Sequence, residues 1–330
     1  MRTAEITEAR AAAPDARSAG RPRVAVLIPC HNEEAAIAKV VSDFRAALPG
    51  AAIHVYDNNS TDRTAAEARA AGAIVRLEPF QGKGNVVRRM FADIEADIYV
   101  LVDGDDTYDA ASAPAMVDHL WRDALDMVNG ARVTEIAAAY RTGHRMGNRL
   151  LTGMVAAIFG RRIDDMLSGY RIFSRRFVKS FPALSAGFET ETELTVHALE
   201  LRMRVAEVPT AYKDRPEGSV SKLRTYRDGW RILITILLLV KEERPLPFFA
   251  CLAGMLALTA LLLGAPLLLT YLGTGLVPRL PTALLATGLI VLAFLGLTCG
   301  LVLDTVTRSR REMKRLFYLS IQAPGQEDGA

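Results

Sequence analysis

Asp103, Asp105 and Asp106 place three carboxylates within four residues, directly after the apolar run Tyr99-Val100-Leu101-Val102. Carboxylates this close repel one another unless a hard divalent cation sits between them. Mg²⁺ and Mn²⁺ both prefer oxygen ligands, so Asp103 and Asp105 are the expected metal ligands. Taken alone, the segment is equally compatible with an acidic turn bent at Gly104. Three further polar clusters lie near the ends of short apolar runs: Pro29-Cys30-His31-Asn32-Glu33, Asp57-Asn58-Asn59-Ser60 and Gly82-Lys83-Gly84. A nucleoside diphosphate would use the four clusters together. Asp57 can accept a hydrogen bond from a base N–H and Glu33 from a ribose hydroxyl. The cation at Asp103 and Asp105 would offset charge building on a leaving nucleotide. No Walker A pattern and no Gly-x-Gly-x-x-Gly follows the first strand, which argues against P-loop and dinucleotide enzymes.

These residues need a scaffold that brings strand ends together. Apolar, β-rich runs at 24–28, 53–56, 74–77 and 98–102 read as strands buried on both faces of a parallel sheet. Helical spacing covers 33–48, where Ile37, Val40, Val41, Phe44 and Leu48 recur on one face. Ser60 or Thr61 is placed to cap an Ala-rich helix running to Ala71, and a further helix runs from Gly82 to Ile94. Residues 111–122 read as helix, 126–129 as strand, 141–159 as helix and 205–208 as a late strand. The alternation predicts an α/β, doubly wound nucleotide-binding fold. Such a sheet binds ligands at the carboxyl edge of its strands, where the polar clusters fall. Arg141, Arg145 and Arg149, at i, i+4 and i+8, share one helix face that suits either solvent or an anionic phosphate.

The chain has 330 residues, half of them hydrophobic, and they are unevenly distributed. Residues 245–278 contain no Asp, Glu, Lys or Arg, nor do residues 280–303. Each run exceeds the ~20 residues that a helix needs to cross a bilayer. Lys241 and Arg244 precede the first span, and Arg308, Arg310, Arg311, Lys314 and Arg315 follow the second. The connection at 273–280 holds only Arg279. The positive-inside rule puts both flanks, both termini and the N-terminal domain on the cytoplasmic side of the inner membrane. Residues 223–244 read as an amphipathic helix in the membrane interface. Residues 1–22 read as a disordered tail without a signal-peptide core, and 305–330 as a basic cytoplasmic tail. Cys30, Cys251 and Cys299 show neither a disulfide nor a zinc spacing. The net charge of +3 carries no nucleic-acid signature.

The ordered set Pro29-Cys30-His31-Asn32-Glu33-Glu34, Asp57-Asn58-Asn59-Ser60-Thr61-Asp62, Gly82-Lys83-Gly84 and Asp103-Gly104-Asp105 resembles the motifs of GT-A fold, family 2 glycosyltransferases. Asp165-Met166-Leu167-Ser168-Gly169-Tyr170-Arg171 and Arg215-x-x-Gly218-x-x-Ser221-Lys222, with two C-terminal spans, narrow the resemblance to polyprenyl-phosphate glycosyltransferases. That group includes dolichol-phosphate mannose synthases and bacterial polyprenyl-phosphate hexose synthases. The resemblance implies a GT-A domain at 23–222 and inverting, metal-dependent sugar transfer. The donor would be a nucleotide-sugar, with a UDP-sugar favoured, and the acceptor a polyprenyl phosphate in the lipid bilayer. It places Pro29, His31, Asn32, Glu33, Asp57, Asn59, Lys83, Asp103 and Gly104 on the donor. It places Arg132, Arg145, Arg149, Ser168, Arg215, Ser221 and Lys222 on the acceptor phosphate. Asp105, Glu191, Glu193, Arg215 and Lys222 are the implied catalytic set, with Glu191 preferred over Glu193. Relatives of this type include dimers and tetramers, so a homo-oligomer is among the implied partners.

The sequence departs from the pattern twice. Asp57-Asn58-Asn59-Ser60 replaces a double-aspartate form. Thr107 stands where dolichol-phosphate mannose synthases use a Gln on the metal, which leaves water or Asp106 as the substitute ligand. The missing Gln-x-x-Arg-Trp and the two spans argue against a processive polysaccharide synthase. Two alternatives stay open: transfer to another lipid acceptor, and a non-catalytic membrane adaptor that retains the nucleotide-sugar pocket.

Overall fold

The computed structural model describes residues 22–133, 153, 163–183, 189–213, 238 and 241–324. A seven-stranded sheet organises the N-terminal domain. Its strands are β1 (Val24–Cys30), β2 (Ala52–Asp57), β3 (Ile74–Leu77), β4 (Ile98–Leu101), β5 (Met127–Val133), β6 (Arg171–Ser174) and β7 (Val205–Ala211). They lie in the order β3-β2-β1-β4-β6-β5-β7. The pairs β1–β2, β1–β4, β2–β3 and β5–β7 are parallel. β6 runs antiparallel to both β4 and β5. The sheet is therefore mixed, which corrects the expectation of a parallel sheet. β6 begins with Arg171 opposite Leu101, where β4 ends. The turn before β6 is thus delivered to the same sheet edge as Asp103. The apolar signal of β6 is only two residues long, Ile172 and Phe173, between an Arg and a Ser.

Helices cover both faces of the sheet. On one side lie α1 (Ile37–Ala47), α2 (Thr64–Ala70) and α4 (Ala113–Arg122). The core there includes Ile37, Val40, Val41, Phe44, Met116 and Leu120 against Val26, Ile28, Val100 and Ile172. On the other side lie α3 (Lys83–Asp93), α5 (Arg175–Ser180) and α6 (Thr190–Glu200). Val87, Met90, Phe91, Phe173, Phe177 and Leu194 pack against Leu27 and Tyr99. Burial on both faces explains why β1 and β4 read as unbroken apolar runs. α1 begins later than its apolar spacing suggested, after a turn in which the Glu33 carbonyl accepts from the Ala36 and Ile37 amides. α2 also starts late, at Thr64, whose amide is held by Asp62 rather than by Ser60 or Thr61.

Two long helices end the described chain: α7 (Pro245–Thr274) and α8 (Leu280–Leu319). Both are long and apolar enough to cross a membrane. Gly275, at φ 71°, closes α7 in the left-handed conformation. At 40 residues, α8 is about 60 Å long, roughly twice the ~30 Å hydrocarbon thickness. Its final turns leave the apolar zone and pack on the sheet domain. Lys314 pairs with Glu200 at 2.7 Å, and the Tyr318 hydroxyl donates to Asp126 at 2.9 Å. The basic segment read as a tail is thus helix through Leu319. The helices expected at 141–159 and 223–244 fall largely outside the described residues, which include 153, 238 and 241–244 of them.

Candidate active site

The loops after β1 and β2 are stitched together backbone to side chain. Asn32 accepts from the Thr61 amide at 2.7 Å, and its own amide donates to the Ser60 hydroxyl at 2.9 Å. The Glu33 amide donates to Thr64 Oγ1 at 2.8 Å, and His31 Nδ1 lies 2.9 Å from the Asn58 carbonyl oxygen. Asn32 and Asn59 both have positive φ (53° and 60°), a conformation asparagine tolerates better than most side chains. Ser60 and Thr61 therefore join two loops rather than cap α2.

Asn58 accounts for one departure from the double-aspartate pattern. Its buried amide donates to the Glu78 and Phe80 carbonyls and accepts from the Gly82 amide at 2.7 Å. A carboxylate could not donate to either carbonyl. Asn58 is thus the hub that places the loop leading to Lys83, while Asn59 donates to Pro79 O from an exposed position. Beside it, Asp57 is 6% exposed and accepts weakly from the Ser60 amide at 3.3 Å. Its other oxygen, Oδ1, has no hydrogen-bond partner among the described residues. A buried carboxylate oxygen left open in this way costs free energy until a donor arrives.

Lys83, the first residue of α3, reaches to the end of β4. Its Nζ lies 2.5 Å from Asp103 Oδ1 and 2.5 Å from Glu191 Oε1. Burial alone would lower the Lys83 pKa, but Asp103 and Glu191 outweigh it and hold the ammonium above the ordinary lysine value. Glu191 sits in the first turn of α6, where an acid suits the helix dipole. Its side chain is 9% exposed, and Oε2 has no partner among the described residues. Glu193 lies in the same turn, half-buried, and does not share the contact with Lys83.

Asp105 is buried and receives the Thr107 hydroxyl at 2.6 Å. Thr107 therefore orients a metal-ligand candidate rather than replacing the Gln as a ligand. Asp106 turns to Lys39 of α1 at 2.9 Å, at φ 56°, and so is committed away from the Asp103–Asp105 pair. Gly104 is required by close packing, because a Cβ there would lie 2.6 Å from Cys30 Sγ. Gly169 plays the same part for Asp103: any side chain at 169 would collide with the Asp103 carboxylate. The Gly169 amide donates to the buried Tyr108 hydroxyl at 2.8 Å, which fixes this turn. Gly169, Tyr108 and Thr107 shape the site without any chemistry that spacing could announce.

The 165–171 segment is structural in the main. Arg171 is fully buried; it donates to the Ser168 carbonyl at 3.0 Å and to Thr195 of α6 at 2.8 Å. Thr195 donates in turn to the Glu191 carbonyl at 3.1 Å, so Arg171 ties the turn to the helix bearing Glu191. Ser168 was expected on the acceptor phosphate. It is fully buried, and its hydroxyl donates to the Gly130 carbonyl at 2.6 Å and accepts from the Tyr170 amide. That placement corrects its assignment, since a phosphate cannot reach it. Arg132 forks onto Asp165 at 2.7 and 2.8 Å and lies over the Tyr212 ring. Burial would raise the Asp165 pKa, but this fork outweighs it and holds the carboxyl below the ordinary aspartate value. Arg145, Arg149, Arg215, Ser221 and Lys222 lie outside the described residues.

Asp103 and Asp105 suit a hard cation, because they offer carboxylate oxygens and the Lys83 ammonium already demonstrates cation binding at Asp103. Among the described residues no three His, Cys, Asp or Glu side chains converge as a ready cage. A metal here would complete its shell with donor phosphate oxygens and water.

The model of glycosyl transferase family 2 matches residues 25–181. Glycosyltransferase AglJ of Haloferax volcanii is 37% identical over 250 residues, which are 75% of this chain and 81% of AglJ. A dolichyl-phosphate hexose transferase of the same organism is 30% identical over 222 residues, 67% of this chain and 95% of the relative. Glucosyl-3-phosphoglycerate synthase from Mycobacterium tuberculosis, solved with Mn²⁺, UDP-glucose and phosphoglyceric acid, superposes with a TM-score of 0.53 at 25% identity. That match covers 67% of this chain and 79% of the synthase.

Proposed function

Because the chain belongs to glycosyl transferase family 2 and is a glycosyltransferase, we propose that it moves a sugar from a UDP-sugar onto the phosphate of a membrane polyprenol. The observation that carries this reading is that Lys83 draws Asp103 and Glu191 together at the sheet edge where Asp57 and Asp105 also lie, with buried oxygens of Asp57 and Glu191 lacking hydrogen-bond partners among the described residues. The lipid acceptor is supported by the two apolar helices. It is also supported by the likeness to a dolichyl-phosphate hexose transferase along nearly all of that relative's length.

Asp57 Oδ1 takes a base N–H, and Glu33 a ribose hydroxyl. Asp103 and Asp105 would hold Mg²⁺ or Mn²⁺, which when bound offsets charge on the departing diphosphate. Lys83 contributes a second positive charge beside the same phosphates. Glu191 orients the sugar through the hydroxyls it can accept from. The acceptor is a phosphate monoester with a second pKa near ~6, largely dianionic at neutral pH. It attacks the anomeric carbon from the face opposite the leaving group, so the configuration inverts and no general base is required. Arg215 and Lys222 are the proposed acceptor-phosphate ligands, with Arg145, Arg149 and Ser221 beside them. The sheet domain lies on the cytoplasmic face of the inner membrane.

The test is nucleotide release from purified protein given polyprenyl phosphate and a panel of UDP-, GDP- and dTDP-sugars. Release with one UDP-sugar, dependent on the polyprenyl phosphate and on added Mg²⁺ or Mn²⁺, is expected. Asp105→Ala should abolish it while leaving the melting temperature of the protein nearly unchanged. Release that depends instead on a diacylglycerol acceptor would reject the polyprenol assignment.

A further inference from the structure

Lys83 stands where a divalent cation would compete with it. Asp103 and Glu191 both face Lys83, and the buried Arg171 guanidinium acts on Glu191 as well. The ammonium lies 2.5 Å from an oxygen of Asp103, the same carboxylate expected on the metal. It is held from the other side by Glu191, also at 2.5 Å. The Lys83 side chain is 12% exposed, so little water screens its charge. A metal entering at Asp103 must therefore displace this ammonium or sit beside a like charge.

A donor diphosphate changes that balance. It brings two negative charges and several acceptor oxygens, enough to take an ammonium and a metal together. Lys83 has three N–H donors, of which two meet carboxylates here. Glu191 keeps one buried oxygen without a hydrogen-bond partner among the described residues. We propose that Lys83 occupies the cation position at Asp103 in the donor-free protein and moves onto the donor diphosphate, so that metal and donor bind cooperatively. Lys83 is then a coupling residue as well as a donor ligand. The free protein resists metal alone, and the metal is retained only with its nucleotide. This rests on the proposed metal site at Asp103 and Asp105.

The measurement is Mn²⁺ binding by electron paramagnetic resonance of the free ion, on full-length protein in detergent, with and without UDP. In the wild type, UDP should tighten Mn²⁺ binding about tenfold or more, within the ~5–150-fold range of ordinary coupling between sites. Lys83→Met should tighten donor-free Mn²⁺ binding by about tenfold and shrink the UDP enhancement by a similar factor. Lys83→Arg keeps the charge and should leave donor-free binding weak. Glu191→Gln leaves Lys83 to Asp103 alone and should weaken donor-free binding, a change opposite in sign to that of Lys83→Met. This second variant keeps the test decisive if Lys83→Met fails to fold. Equal UDP enhancement in wild type and Lys83→Met, or tighter donor-free binding in Glu191→Gln, overturns the coupling. If UDP-bound wild type and Asp105→Ala alike fail to bind Mn²⁺, the metal assignment itself falls and takes the coupling with it.

Discussion

Two clusters of buried charge lie on opposite sides of α6, and they are finished differently. At its N-terminal end, Lys83 is the one cation among the described residues that pairs directly with Glu191 and Asp103, and buried oxygens of Glu191 and Asp57 have no hydrogen-bond partner among them. Toward its C-terminal end, carboxylates meet cations in excess. Glu200 lies 2.7 Å from Lys314 and 3.4 Å from Arg311, and Glu243 pairs with Arg310 and Arg311. Asp126 is fully buried and receives Arg176, Ser174 and Tyr318. The second cluster fastens α8 to the sheet domain. In the first, acidic groups outnumber the cations that meet them among the described residues. Both hold buried polar atoms without a hydrogen-bond partner among the described residues, Asp57 Oδ1 and Glu191 Oε2 in the first and Glu200 Oε1, Arg310 Nε and Arg311 Nε in the second, so the balance of charge, more than partner count, separates the joint from the candidate site.

Replacing aspartate by asparagine in each cluster gives opposite signatures. Asp126→Asn removes the charge that balances Arg176, whose side chain is only 14% exposed. Breaking such a pair leaves an uncompensated charge and costs about 3 kcal/mol, the low end of the range for buried pairs. Thermal unfolding should show a large loss of stability, while donor affinity per folded molecule stays unchanged. A variant that keeps its stability would dissolve the distinction between the two clusters.

Asp103→Asn should do the reverse. Transfer should fall by about 10²–10³-fold, the usual loss when one charge-stabilising group is removed. Melting temperature should hold, since among the described residues the carboxylate is paired with a lysine that retains Glu191. Next in size is Asp57→Asn, which removes a buried carboxylate with an oxygen that has no partner. A hydrogen bond to a charged group contributes roughly 1.5–3 kcal/mol, so donor KM should rise about 10- to 100-fold. Stability should hold or rise slightly, because the donor-free protein no longer buries that charge. A fall in stability as large as that of Asp126→Asn would mean that Asp57 is structural.

The sequence made the site's chemistry easy to read and its supports hard. Asp57, Lys83, Asp103 and Asp105 announce themselves because polar residues interrupt apolar runs at strand ends. Three of the four strands that carry those ends were within a residue or two of their observed bounds, and the fourth, β3, matched fully. β6 was invisible because a strand of four residues, with only Ile172 and Phe173 apolar between Arg171 and Ser174, has no period to detect. Its antiparallel direction depends on where the preceding loop returns, a tertiary fact. Asn58 looked like a turn former, since only the three carbonyl and amide partners it gathers show why an amide is needed. Gly169 and Thr107 act through space left open and a hydroxyl's direction, which no residue type encodes. The docking of α8 was missed because basic residues after a span read as a cytoplasmic flank whether or not they find carboxylates.

The smallest effect tests the closed cluster by pH. His197 lies on α6, packed edge-on against Phe177 and Phe181, with Nε2 3.1 Å from the Ser180 hydroxyl. Burial, helped by the Lys314 charge, lowers its pKa from 6.5 to about 3. Between those values the unfolded chain binds a proton that the folded protein refuses. Stability from this residue is therefore complete above pH 6.5 and is lost as pH falls toward 3. The slope is at most about 1.4 kcal/mol per pH unit. The Lys314 charge that pairs with Glu200 to dock α8 thus also adds to the lowering. His197→Gln should flatten the fall in melting temperature between pH 7 and 5 relative to the wild type. Lys314→Ala should flatten it less, because burial is the larger cause and remains. Parallel melting curves for wild type and His197→Gln across that window would show that α8 is held without any cost in protons, and that the closed cluster is insensitive to pH.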